Sequence, residues 1–172
     1  LTGHYREAHG LFACSGILFN HESPLRSEAF VTRKITRSVG RIRAGLQDKV
    51  KLGDLSPRRD WGYAPEYVDA MWRMMQLEQP DDFIIATNES QSVADFAREA
   101  FACAGLDWEK HVDFDARQVR PTDLDEVRGD YGKARRAFGW EPKTRMSALV
   151  KIMVDHDLQL AEQERLALGA RG

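Results

Sequence analysis

Cysteine is nearly absent from this chain: there are two in 172 residues, Cys14 and Cys103. Neither belongs to a C-x-x-C pair or to a Cys/His spacing that suits zinc, which excludes a disulfide framework and a zinc module. Both sit among apolar neighbours and are expected as buried thiols in a reducing, cytoplasmic setting. The five histidines form no H-E-x-x-H or comparable pair, so no metal site is expected. Long hydrophobic runs are missing as well. GILF at 16–19 and FIIA at 83–86 are far too short for a bilayer span, and no secretory segment opens the chain, so no membrane partner is expected. Charge of one sign is not in excess either. A net charge of −2 removes the bulk argument for a nucleic-acid partner.

What is present is the composition of a folded domain, 42% hydrophobic and 30% charged. Residues 2–9 read as the end of a helix capped by Gly10, leading into a nearly continuous apolar strand at 11–19. A basic amphipathic helix is expected over 29–46 with Ser27 as its N-cap, then a short strand at 49–52. Pro65 opens a helix that Pro80 closes, 83–87 is a buried strand, and Ser92 caps a helix that ends at Gly105. A short strand at 111–115, a brief helix at 132–138 and a last helix from 144 complete the pattern, with Met146, Leu149, Val150 and Met153 on one face. Strands alternating with helices predict an α/β fold. Tyr67, Met71, Met74 and Met75 follow helical spacing and are expected in the core, with Trp140 as a packing anchor.

The polar residues cluster where such a fold binds ligands, beyond the carboxyl ends of its strands. GILFNHESP turns from apolar to polar at Asn20, His21, Glu22 and Ser23 before Pro24; a plain turn accounts for this as well as a site does. In the helix that follows, Lys34 lies near the N-terminus, where free N–H groups favour an anion. Arg37, Arg41 and Arg43 read as a solvated basic face. The turn in GDLSPRRDWG would hold Arg59 in one orientation for a phosphate, unless Arg59 pairs with Asp60, or Arg58 with Glu66, at the surface. Arg120 precedes a proline and is therefore extended, with Asp123 close enough to accept from a hydroxyl. Three cations and polar acceptors suit a ligand with phosphates and sugar hydroxyls. Each charge-assisted bond contributes about 1.5–3 kcal/mol.

GILFNHESP, then FVTRKI, LGDLSPRRDWGYAPEYVDAMW, and RPTDLD followed by GDYGKA together resemble the GDP-mannose 4,6-dehydratase family of extended short-chain dehydrogenase/reductases. The resemblance runs from about Tyr5 to Asp157. It implies the C-terminal part of that Rossmann-like fold: residues 1–24 would end the NADP-binding domain, and 25–172 would be mainly the sugar-nucleotide domain, with possible return segments to the sheet. It implies an NADP-dependent hydro-lyase that converts GDP-mannose to GDP-4-keto-6-deoxymannose: the cofactor takes a hydride from C4, water leaves across C5 and C6, and the hydride returns to C6. By the matching motifs His21 and Arg26 would contact NADP, while Asn20, Lys34, Arg59, Arg120 and Asp123 would face GDP-mannose. A homodimer or homotetramer is implied as well.

The chain departs from the family pattern at Leu25, commonly arginine, at Ser27, usually glycine, and at Asp123, usually glutamate. It holds no G-x-x-G-x-x-G and no Tyr-x-x-x-Lys, so no catalytic residue of the family is expected within it, and the chain alone is expected to be inactive. An epimerase acting on another nucleotide sugar is the near alternative. A non-catalytic remnant, or a partner chain that completes a site in trans, is the alternative of a different class.

Overall fold

The structure is a computed structural model and describes residues 1–118 and 124–169. The first half of the chain runs α1 (Thr2–His9), β1 (Ser15–Leu18), β2 (Asn20–Glu22), α2 (Val31–Arg43), β3 (Val50–Leu52), β4 (Arg58–Arg59), β5 (Trp61–Tyr63) and α3 (Ala64–Met74). The second half runs β6 (Asp82–Ile85), β7 (Gln91–Ser92), α4 (Val93–Cys103), α5 (Trp108–His111), β8 (Val112–Phe114), β9 (Glu126–Val127), α6 (Gly132–Phe138) and α7 (Met146–Gly169). This is the expected alternation of an α/β fold.

The strand expected over 11–19 is strand only at Ser15–Leu18, and a second short strand follows at Asn20–Glu22. β1 pairs in parallel with β6, and β2 pairs in parallel with β5. The chain changes partner at Phe19, whose N–H still reaches the Ile85 carbonyl at 3.0 Å. The polar run is therefore not a turn: Asn20, His21 and Glu22 are strand residues held opposite Trp61, Gly62 and Tyr63. The turn begins one residue later, where the Ser23 carbonyl accepts from the Arg26 N–H.

Two cores form. In one, α2, α4 and α7 pack around Val39, Phe96, Phe101, Leu149 and Met153. In the other, α3 and α6 cover β6 through Tyr67, Phe83, Ile85 and Trp140. Trp140 is the anchor its setting predicts: it is buried, and its indole N–H donates to the Glu66 carbonyl at 2.9 Å. Ser92 caps α4 as expected, in a reciprocal box with Asp95.

Several expectations need correction. Ser27 does not cap α2; the cap position is Phe30, and the Ser27 hydroxyl accepts from Ala29 N–H in the loop before it. Only Tyr67 and Met74 of the α3 series are buried, because Met71 and Met75 lie on the face turned away from the sheet. Cys14 is half-buried and Cys103 is exposed, near the end of α4. The basic face of α2 is not solvated at Arg37 and Arg41: both bind Glu164 of α7. Arg33, beside them, is buried against Asp157 at 2.8 Å. Spacing along α2 could not show that α7 brings carboxylates at 157 and 164 to meet these cations. Arg43 is exposed, as expected.

Candidate functional site

A cavity of about 380 Å³ opens where β2, the start of α2, β4 and β5 converge, within the size range of small-molecule sites. Asn20, Arg26, Lys34 and Arg59 all line it, along with Glu22 and Gln118. Phe30, Leu52 and Trp61 supply apolar wall.

Each cation is held by the local structure. Lys34 stands in the first turns of α2, and its Nζ donates to the Lys51 carbonyl at 2.5 Å and to Gln118 Oε1 at 2.6 Å. Partial burial pushes its pKa down, and Asp115 opposes that. Arg59 lies on the central strand of a small sheet, β7–β4–β9, with its guanidinium donating to the carbonyls of Arg58 and Leu124 at 2.8 and 2.7 Å. The anticipated surface pairs, Arg59 with Asp60 and Arg58 with Glu66, are not how these carboxylates are used: Asp60 accepts from backbone, and Glu66 accepts from Lys143 and Thr144. Arg26 folds back over its own loop. Its guanidinium lies 3.5 Å from the centre of the Phe30 ring, and its buried Nε is 3.4 Å from Glu22, with no hydrogen bond among the described residues.

Glu22 is the buried acid of the cavity, 2% exposed. Thr32 donates to it at 2.7 Å. Burial pushes its carboxyl above the ordinary range, while Thr32, Arg26 and His21 pull it back. His21 is placed differently from the other four candidates. It does not line the cavity; its Nδ1 is 3.0 Å from the Phe19 carbonyl, and its ring packs on Tyr67 with centroids 5.3 Å apart. Arg120 and Asp123 lie outside the described residues. Glu22 stands inside GILFNHESP and Gln118 two residues before RPTDLD, yet nothing in their spacing marks them as cavity residues. Trp61 is visible only as a packed aromatic beside Arg59. Three cations, two acids (Glu22 and Asp54) and two side-chain amides around an aromatic wall suit an anionic ligand that also carries hydroxyl groups.

The fold is that of an extended short-chain dehydrogenase/reductase. It superposes with a TM-score of 0.84 on the structure of RMD from Pseudomonas aeruginosa complexed with NADPH, at 18% identity, covering 92% of this chain and 52% of that one. The score is 0.80 for dTDP-glucose 4,6-dehydratase from Bacillus anthracis in complex with NAD, at 15% identity, covering 94% and 49%. Within that class the chain belongs to the GDP-mannose 4,6 dehydratase family, whose sequence profile matches residues 1–153. It is 54% identical to GDP-mannose 4,6 dehydratase 1 of Arabidopsis thaliana over 169 residues, 98% of this chain and 47% of that protein. It is 43% identical to GDP-mannose 4,6 dehydratase of Homo sapiens over 173 residues, 91% and 46%. The chain thus spans about half the length of the curated relatives it matches.

Proposed function

We propose that this chain supplies the sugar-nucleotide pocket of a GDP-mannose 4,6-dehydratase. The observation that carries this is the convergence of Arg26, Lys34 and Arg59 with Asn20 on one cavity, in a chain of that family. Lys34 and Arg59 face the diphosphate of GDP-mannose, with Arg120 and Asp123 as further contacts by their motif. Asn20 offers an amide to the sugar. Trp61 and Phe30 exclude water from one side, which strengthens every charge contact inside.

The cofactor proposed is NADP, held by His21 and Arg26, and when bound it supplies reversible hydride acceptance. Arg26 fits an anionic group: among the described residues its buried Nε has no hydrogen bond, and its guanidinium meets Glu22 and the Phe30 ring face. His21 fits as an orienting contact, since Tyr67 and the Phe19 carbonyl hold its ring. Residues 1–24 are assigned to the cofactor domain and 25–172 mainly to the substrate domain, with β5 and β6 as the segments that return to the sheet. No acid or base for the dehydration is assigned to this chain, which is proposed to be inactive alone. The complete protein is proposed as a cytoplasmic homodimer or homotetramer.

Isothermal titration of the purified chain with GDP-mannose and GDP, and with UDP-glucose as control, tests the pocket. Arg59→Ala and Lys34→Ala are each expected to weaken GDP-mannose binding by about 10- to 100-fold, the loss of a charge-assisted contact. Affinity unchanged from the wild-type chain in both variants, or tighter binding of UDP-glucose, overturns the assignment.

A further inference from the structure

Asp60 lies between two cavity residues, Arg59 and Trp61, but faces away from the cavity, and it is 1% exposed. One carboxylate oxygen accepts from the Thr87 N–H at 2.8 Å and from the Thr87 hydroxyl at 2.7 Å. The other accepts from the N–H groups of Asn88, at 3.0 Å, and Gly129, at 3.2 Å. These donors come from two segments distant in sequence. Thr87 and Asn88 follow β6, and Asn88 takes a left-handed φ of 61°, a conformation asparagine adopts more readily than other non-glycine residues. Gly129 follows β9, the strand that pairs with β4 through Arg59↔Val127. A buried charge is retained at low cost only when its lone pairs are satisfied, and here three backbone amides and one hydroxyl do so.

We propose that Asp60 is the positioning residue for Arg59: it ties the β4–β5 junction to both flanking segments, so that the arginine presents one orientation to a diphosphate. This rests on the diphosphate assignment of the pocket. Asp60→Asn keeps the shape but turns an N–H₂ group toward amide donors, which breaks part of the tie.

The test has two arms. In the first, GDP affinity is measured for the purified protein and for Asp60→Asn, Arg59→Ala and the double variant. Asp60→Asn is expected to weaken GDP by about tenfold alone and by less than about twofold in the Arg59→Ala background, since coupled residues are not additive. Equal losses in both backgrounds mean that Asp60 only stabilises the fold, and overturn the proposal. Thr87→Val, which removes a single donor, runs the same cycle if Asp60→Asn does not fold. In the second arm, amide hydrogen exchange without ligand is expected to accelerate at Asn88 and Gly129 in the variant while Val39 and Phe101 stay protected. Unchanged exchange at Asn88 and Gly129 overturns the tie itself. A wild-type protein that ignores GDP instead defeats the pocket assignment and with it the positioning role, while the exchange arm still decides whether Asp60 ties the two segments.

Discussion

Glu22 shows how one side chain couples the pocket to pH. Burial is the largest influence on it and raises its pKa, with Thr32 and Arg26 working against that. The folded state therefore binds its proton more tightly than the unfolded chain does. Its contribution to stability is complete below the ordinary glutamate range and is lost as pH rises through the raised value. Glu22→Gln carries no such proton, so the stability of the variant relative to the wild type is expected to increase as pH rises through that window, then level off. Urea unfolding of both proteins at a series of pH values measures it, and parallel curves would refute it. The same residue illustrates a limit of reading polar runs. The polarity of NHES is plain in the sequence, but the division of labour among its residues depends on β2 lying against β5. That pairing places Asn20 and Glu22 on the cavity and turns His21 onto Tyr67.

The crossing of α2 and α7 is the most consequential contact between elements. Gly40 meets the Asp157 carbonyl so closely that a Cβ there would overlap it, which is why the position takes glycine. Arg33 and Asp157 form a buried pair, with contacts of 2.8 and 3.0 Å to the two carboxylate oxygens. Asp157→Ala leaves a buried guanidinium unpaired and is expected to cost about 3–5 kcal/mol. Glu164→Ala breaks contacts that are partly solvated and is expected to cost about 1 kcal/mol. Chemical denaturation ranks the two, and a larger loss at Glu164 would contradict this account. Helix α2 itself was legible from its apolar period. Its basic residues were not, because a cation on a helix looks the same whether water or a carboxylate faces it. The cap of α4 was legible because Ser92 and Asp95 satisfy each other within four residues.

Across the molecule, two sets of apolar side chains stay exposed. Val68, Met71 and Trp72 of α3 and its C-cap residue Met75 recur at helical spacing, and Trp72 is 63% exposed. Leu11, Phe12 and Ile17 are exposed beside or within β1, which pairs only with β6 among the described strands. Apolar stripes of this kind, with a strand edge open to pairing, favour association. The 172-residue chain is expected to self-associate at micromolar concentration, and Val68→Ser with Trp72→Ser is expected to shift it toward monomer without loss of the GDP site. Sedimentation velocity over a concentration series checks this; a monodisperse monomer throughout would rule it out.

The local order of the backbone was written in the chain: alternating periods made it α/β, Gly10 and Gly139 stop their helices with left-handed φ, and the four ordered motifs placed it in its family. These features depend on neighbours a few residues apart or on matched strings, so no folding is needed to read them. Convergence is another matter. Arg26, Lys34 and Arg59 reach one cavity because two parallel pairings and a three-stranded clip bring distant segments together. Asp60 holds amides 27 to 69 residues away. Whether a buried carboxylate is a liability or a tie depends on donors that only long-range packing delivers, and no short stretch of sequence carries that information.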